Sequence, residues 1–307
     1  MSAIASPSIC VLMSLYNGAR YLAEQIESIA AQKNVSVFLL GRDDGSSDTS
    51  ARIFEETCRK LNVPSRLLTG KNLGPAQSFL DLVYQAARDF DYYSFADQDD
   101  VWLDNKLERA AQALAKSNGK PGLYVCRQYI TDANLNIKGL SRIPDKVGFG
   151  NALVQNIALG AATVFNLEAL KLLQSIPRPQ NFLMHDWWIY LVLSSTAEIT
   201  YDPCPCIYYR QHGRNVVGAD TRFFDVLKRR YVNHIVNRSM VCSQQINELL
   251  RVAGSYITSG DYKLAQDLVS AKSSISARIG LSLSRSLWRQ GFVDDAIWRI
   301  LILLGRY

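Results

Sequence analysis

Short unbroken apolar blocks mark the first half of the chain, and between them apolar residues recur every three or four positions. The blocks SICVLMSL (8–15), SVFLLGRDD (36–44), SRLLTG (65–70), YYSFA (92–96) and GLYVCRQYIT (122–131) predict strands. Continuous apolar runs of this length suit strands buried on both faces. Between the first two, Tyr21, Leu22, Ile26 and Ile29 form a helical stripe within 20–32. GSSDTSARIFEETCRKL (45–61) opens a second helix, with Ser47 or Asp48 as its cap. Gly74-Pro75 breaks the chain before a third helix, AQSFLDLVYQAARD, and LDNKLERAAQALAKSN is a fourth. Strands alternating with helices at this spacing predict βαβ units, hence an α/β fold with a mainly parallel sheet.

Beyond residue 150 the pattern changes. ALGAATVFN (158–166) predicts a strand of small residues, FLMHDWWIYLVLSS (182–195) a helix after a polar turn, and EITYDPCPCIYYRQHGRN closes the α/β part. From 222 onward the chain reads as helical in three segments, 222–253, 261–280 and 294–304. This change of period divides the chain into residues 1–218 and a helical extension, 219–307. Charge divides it at the same place. Residues 1–215 carry 21 basic and 21 acidic residues, whereas 216–307 carry 13 and 7, so the whole surplus of +6 lies in the extension. A neutral body with a basic tail points to an anionic surface as the tail's partner, or to a solvated basic face.

Composition excludes several classes. With 48% hydrophobic and 20% charged residues the chain is a packed globular protein. The six cysteines, at 10, 58, 126, 204, 206 and 242, form no CxxC pair, so neither a zinc finger nor a disulfide framework is expected, and reduced thiols suit a cytoplasmic protein. Three histidines exclude a His-rich metal centre. The N-terminal segment lacks a basic n-region, and no apolar run reaches the roughly 18 residues of a membrane span. The expected location is the cytoplasm, with the inner membrane face as a peripheral address.

Ligands of open α/β sheets bind at the carboxyl ends of strands. Three apolar blocks end there in polar residues: Asn17, Asp43-Asp44 and Asp97-Gln98-Asp99-Asp100. Three carboxylates within four residues repel one another unless a cation intervenes, and a hard divalent ion such as Mg2+ or Mn2+ bridges carboxylates to phosphates. The plainer alternative is an acidic surface turn that caps the next helix. For Asp43, Asp44 and the serines after them, the alternatives are accepting the imide N–H of uracil or thymine and simple capping.

SLYNG, RDDGSSD, KNLGPAQSF and FADQDDVWLDNKL, in this order, resemble the inverting family 2 glycosyltransferases of GT-A fold. With HDWW and YYRQHGRNVVG, the set is similar to bacterial rhamnosyltransferases that use dTDP-L-rhamnose in building O-antigen, capsule or rhamnan. The resemblance covers about residues 8–218. It implies that Ser14 and Tyr16 lie beside the nucleotide base, that Asp44 bonds the imide with Asp43 next to it, and that Lys71 and Asn72 line the nucleotide pocket. Asp97 and Asp99 become the DxD pair, with Gln98 between them at the nucleotide sugar, and Asp100 assisting. Asp97, Asp99 and His212 are the implied metal ligands, and Arg210 reaches the diphosphate. Asp186 of HDWW is the implied general base, with His185, Trp187 and Trp188 towards the acceptor sugar. For these last three the alternative is packing within the helix. The implied partners are a nucleotide-diphosphate sugar and a saccharide acceptor, lipid-linked, with no nucleic acid. The tail is expected to meet the membrane or to form a homodimer. No QxxRW motif follows Asp186, which argues for addition of one or a few sugars. A UDP-linked hexose or galactofuranose is the alternative donor. An inactive nucleotide-sugar-binding protein and a nucleotidyltransferase are the rival classes; the latter lacks support, because SLYNGARYL is not Gly-rich.

Overall fold

A computed structural model describes residues 6–212 and 239–307. They form two compact units, one from residues 6–143, 158–175 and 197–212, the other from 144–157, 176–196 and 239–307. The second unit thus takes in two segments from within the expected α/β body. The expected junction at 218/219 and the basic run Lys228–Arg230 lie outside the described residues.

The strands are β1 (Ser8–Leu15), β2 (Ser36–Asp43), β3 (Ser65–Thr69), β4 (Tyr92–Ala96), β5 (Val101–Trp102), β6 (Gly122–Thr131), β7 (Ile137–Leu140), β8 (Thr163–Asn166) and β9 (Glu198–Arg210). The helices are α1 (Leu22–Ala30), α2 (Ser50–Lys60), α3 (Pro75–Gln85), α4 (Lys106–Leu114), α5 (Phe149–Ala152), α6 (Leu167–Ser175), α7 (His185–Thr196), α8 (Ser239–Ala253), α9 (Ser259–Ser270), α10 (Ile275–Leu283) and α11 (Phe292–Leu303).

All the strands belong to the first unit. They make one sheet in the order β3-β2-β1-β4-β8-β6-β9-β5, with β7 on β6. The β3-β2-β1-β4 part is parallel, β8 runs antiparallel to β4 and β6, and β6 pairs parallel to β9. The α/β expectation therefore holds. Residues Ile9 to Met13 of β1 are fully buried, as an unbroken apolar strand at the centre of a sheet must be. In register, Leu15 pairs with Asp43 and Met13 with Ala96, so β1, β2 and β4 end side by side. Successive strands leave β1 on opposite sides, which opens the crevice in which such sheets bind ligands.

Two strands were not expected. The two-residue β5 directly follows the acidic run and pairs Val101 with Tyr208 and Trp102 with Ile207 of β9. The exposed β7 pairs with β6 across a register shift at Ile130 and Thr131.

In the second unit α7 is buried from His185 through Leu193. The expected helix over 261–280 is broken: α9 ends at Ser270, and Ser274 turns extended and caps α10, its side chain accepting the N–H of Ala277 at 3.3 Å. The serines of AKSSIS offer side-chain bonds that compete with the helix ladder. Tyr307 ties α8, α9 and α11 together. Its carbonyl accepts from Ser243, its hydroxyl donates to Leu268 O at 2.8 Å, and its ring meets Trp298 edge-on. Among the described residues no helix is long and apolar enough to cross a membrane.

Candidate active site

The loop after β1 and the loop after β2 are stitched together. Asn17 Oδ1 accepts the N–H of Ser47 at 2.9 Å, Asn17 N donates to Ser46 Oγ, and Gly18 N donates to Ser50 Oγ at 2.8 Å. Asp48 accepts from Ser50 N with one oxygen and from Ala19 N with the other, so it ties the start of α2 to the first loop. The side-chain amide of Gln98 joins this clasp from the β4 side. It accepts from Tyr16 N and donates to Tyr16 O, both at 2.9 Å. A Cβ on Gly18 would sit 2.1 Å from Gln98 Oε1, so only glycine permits this approach.

Asp43 and Asp44 behave differently. Asp44 is buried, and its two oxygens accept the N–H groups of Leu73 (2.8 Å) and Gly74 (2.9 Å), with Arg42 paired to the first. Arg42, itself buried, also donates to Asp81 (3.2 Å), Ser78 (3.2 Å) and Lys71 O (3.2 Å). Ser78 Oγ lies 2.6 Å from Ser14 Oγ. This network fixes the loop that carries the exposed Lys71 and Asn72. Asp43 uses one oxygen for Ser46 N at 3.3 Å, while its buried Oδ1 has no hydrogen-bond partner. Tyr16, half exposed, follows the end of β1.

The acidic turn after β4 is held from behind by Arg210. The backbone N–H of Arg210 donates to Asp100 Oδ1 at 3.0 Å. The guanidinium donates to Asp99 O (2.8 Å), to Ala133 O (2.7 Å) and to Glu24 in the first turn of α1, and it lies 4.4 Å from the Tyr21 ring centroid. His212 stacks on the same ring, with centroids 5.1 Å apart, and its Nε2 lies 2.8 Å from Asp99 Oδ2. Asp100 is fully buried with Oδ2 unpartnered. Burial, then repulsion from Asp97 and Asp99, holds its carboxyl well above the usual carboxylate range. Below the turn, the buried Lys106 donates to Ser94 Oγ at 2.9 Å and sits 3.2 Å from the Trp102 ring centroid. Burial lowers its ammonium to about 7.

In the second unit Asp186 lies in the first turn of α7, where the helix dipole favours a carboxylate. Its Oδ1 accepts the N–H of Trp187 at 2.6 Å. The Trp187 indole donates to Ala152 O at 2.7 Å, and Trp188, 1% exposed, packs against Phe182. His185 is buried, and burial lowers its imidazole to about 3, so it is neutral at physiological pH.

A profile of glycosyl transferase family 2 matches residues 10–170, more than half of the chain. The chain belongs to this family.

The chain is 28% identical over 228 residues to the dTDP-rhamnosyl transferase RfbG of Shigella flexneri, covering 71% of this chain and 77% of that protein. It is 26% identical over 231 residues to the UDP-Glc:alpha-D-GlcNAc-diphosphoundecaprenol beta-1,3-glucosyltransferase WfgD of Escherichia coli, covering 73% and 83%. Among solved structures it resembles S. aureus TarS residues 1–349 with UDP-GlcNAc (TM-score 0.55, 16% identity, 97% of this chain and 87% of that one). The mannosyltransferase PcManGT of Pyrobaculum calidifontis, solved with GDP-Man and Mn2+, gives a TM-score of 0.54 at 15% identity, over 99% of this chain and 86% of that one. The fold is that of GT-A glycosyltransferases.

Within this family 2 enzyme the first unit gathers Ser14, Tyr16, Asp43, Asp44, Lys71, Asn72, Asp97, Gln98, Asp99, Arg210 and His212 around the ends of β1, β2 and β4. Asp186, His185, Trp187 and Trp188 belong to the second unit. Several of these side chains already have protein partners. Each nitrogen of the buried Arg210 guanidinium already donates to a protein oxygen, an arrangement that braces the acidic turn. Gln98 spends its amide on Tyr16. Both oxygens of Asp44 are taken by loop N–H groups, which leaves Asp43 Oδ1 as the unpaired acceptor. Trp188 has no free face for a sugar, and Trp187 and His185 are buried with it, because α7 is apolar on nearly every side.

As to metal, among the described residues no three or more His, Cys, Asp or Glu side chains form a cation cage. Asp99 and His212 do converge, and a carboxylate beside an imidazole is a donor pair that could hold a divalent transition ion such as Mn2+. Sequence reasoning gave no site role to Glu24, Tyr21, Arg42, Asp81 or Lys106. For Lys106 a signal existed: it falls on the buried stripe of α4 with Leu107, Ala110, Ala111 and Leu114.

Proposed function

We propose that this glycosyltransferase moves one sugar, L-rhamnose from dTDP-L-rhamnose, with inversion to a lipid-linked saccharide acceptor in bacterial surface polysaccharide synthesis. The observation that carries the reading is the pair of acidic features on either side of β1: the unpaired Asp43 Oδ1 at the end of β2, and the Asp97–Asp99 turn after β4 with His212 against it. The first suits the imide N–H of a pyrimidine base, and the second suits the diphosphate end of the same donor. The similarity to RfbG over 71% of the chain supports thymidine-linked rhamnose. The similarity to WfgD supports a UDP-linked hexose as the second reading, and the diphosphoundecaprenol in its name supports the lipid-linked acceptor.

In this reading Tyr16 and Ser14 flank the base, Asp43 accepts its N–H, and Lys71 and Asn72 close the pocket. Arg210, Glu24 and Tyr21 keep Asp99 and His212 in position. Asp99 and His212, with Asp97, would hold a divalent ion, Mg2+ or Mn2+, which would supply positive charge to the leaving diphosphate. Asp186 takes the proton from the acceptor hydroxyl as its oxygen attacks the anomeric carbon from the face opposite the leaving group. The bond to the nucleoside diphosphate breaks, and its electron pair leaves with the phosphate oxygen. The enzyme works at the inner face of the plasma membrane as a peripheral protein.

Thermal-shift measurements with dTDP, UDP and GDP, followed by turnover with dTDP-L-rhamnose and UDP-glucose, test this. Stabilisation and turnover are expected with the thymidine-linked donor. Turnover with UDP-glucose alone would replace the rhamnose reading with the second one, and release of no nucleotide from any donor in the presence of acceptor would favour an inactive binding protein.

A further inference from the structure

Helices α10 and α11 pack against each other, and each carries exposed apolar residues. Arg299 of α11 binds the two together by donating to the carbonyls of Ser282 (2.6 Å), Ser284 (3.0 Å) and Leu287 (3.3 Å), and Arg278 of α10 donates to Leu303 O (3.3 Å). With the hydrogen-bonding groups turned inward, the outside is left to hydrocarbon. Ile275, Ile279 and Leu283 recur every fourth residue on α10, and are 69%, 47% and 77% exposed. On α11 Phe292, Val293, Ile300, Leu303 and Leu304 are exposed, Phe292 at 88%. At 3.6 residues per turn these five fall within an arc of about 120°, together with Ala296 and no charged residue. Asp294, Asp295 and Arg299 lie off that arc.

A soluble protein seldom leaves this much clustered aliphatic and aromatic surface uncovered. Charge indicates what covers it. Residues 271–307 hold six basic residues (Lys272, Arg278, Arg285, Arg289, Arg299 and Arg306) and two acidic ones. Exposed Arg285 and Arg306 follow the ends of α10 and α11. A second copy docking here about a twofold axis would set these like charges against one another. An anionic lipid surface instead offers phosphates to the arginines and an acyl boundary to the apolar edge.

We infer that the α10–α11 pair is the membrane-inserting element of this enzyme: it lies flat in the headgroup region of an anionic bilayer, with Phe292, Ile300 and Leu304 in the acyl boundary. The inference deepens, and rests on, the peripheral placement proposed above.

Flotation of the full-length protein with vesicles tests it, using phosphatidylglycerol-containing and phosphatidylcholine-only vesicles at low and high salt. The comparison variant is Phe292→Ser/Ile300→Ser/Leu304→Ser. These side chains are exposed, so its thermal melt and its transfer to a soluble acceptor should match the parent. Binding to phosphatidylglycerol vesicles at low salt is expected, weaker by about tenfold or more in the variant, in high salt and on neutral vesicles. Equal binding to neutral and anionic vesicles, wild-type binding by the variant, or no vesicle binding at all would overturn the inference. So would a dimer, seen in sedimentation velocity, that the variant loses, because the covering partner would then be a second copy. If the parent floats as expected but transfers no sugar to a soluble acceptor, the functional reading fails while the insertion surface stands.

Discussion

Replacing Arg210 by alanine separates two roles that an arginine at a strand end can play. If it clamps the donor diphosphate, its loss lowers donor affinity and leaves the fold intact. If it braces the acidic turn, its loss must appear in the stability of the free protein. The structure supports the second. The side chain is 4% exposed, and its guanidinium is spent on Asp99 O, Ala133 O, Glu24 and the face of Tyr21. Hydrogen bonds from a charged donor contribute about 1.5–3 kcal/mol each, and two such bonds go to carbonyls. The bond to Glu24 counts for less, because that carboxylate is 48% exposed and screened by water. Allowing for water entering the gap, the loss comes to about 3–5 kcal/mol, the range for breaking a buried charged contact. That is a large part of the roughly 5–15 kcal/mol that hold a domain folded.

The assay is urea unfolding of Arg210→Ala and Arg210→Lys beside the parent, with no nucleotide present. A fall of several kcal/mol for alanine and a partial fall for lysine are expected, since lysine keeps the charge but cannot serve three directions at once. Unchanged unfolding midpoints together with lost donor binding would refute the bracing role and return Arg210 to the diphosphate.

The remaining predictions concern other residues. Asp99→Ala should remove metal-dependent donor binding in calorimetry and cost about 3 kcal/mol of leaving-group stabilisation, as loss of one preorganised electrostatic contact does; full activity of the variant in chelator would contradict this. Asp186→Asn should keep donor binding while slowing transfer by about 10²–10⁴-fold, the range for losing a general base; normal turnover would exclude it as the base. Lys106→Met tests a pH effect: the folded ammonium titrates near 7 and the unfolded one near 10.4, so between these values the unfolded chain binds a proton that the folded chain does not, and stability rises with pH by up to about 1.4 kcal/mol per unit. Urea midpoints at pH 7, 8 and 9 should climb in the parent more steeply than in the variant, and parallel curves would count against a buried, discharged lysine.

How legible all this was depended on how local the cause is. The central strands show in the sequence because continuous burial needs an unbroken apolar run, and the order of acidic turns at their ends follows from it. By contrast β5 exists only because β9 passes alongside, and two residues carry no period. Position within a motif also misled where burial decides. Asp43 and Asp44 are neighbours of the same type, yet the loop after β3 supplies N–H groups to one and leaves an oxygen of the other unpaired. Arg210 reads as a free cation until Glu24, more than 180 residues away, is found against it. The two tryptophans beside Asp186 look like sugar platforms, but α7 is apolar almost all round, and a helix of that kind is a core helix.

The charge balance of the first unit bears on the divalent ion. A departing nucleoside diphosphate needs positive charge where its own charge grows. Of the arginines at these strand ends, Arg42 is held by Asp44, Asp81, Ser78 and Lys71 O, and Arg210 by Glu24 and two carbonyls. Neither guanidinium can turn to a ligand without breaking buried bonds. Lys106 is buried and loses its proton easily, so it is a poor source of charge. Lys71 is exposed and unencumbered, but a flexible ammonium alone is a weak counterpart for a diphosphate. Burial meanwhile holds Asp100 well above the usual carboxylate range, which relieves the crowding of Asp97 and Asp99 and leaves those two as the acidic groups at the turn. A turn arranged in this way spends its cationic side chains on its own shape, so in the proposed reaction the positive charge for the leaving diphosphate has to come from outside those side chains.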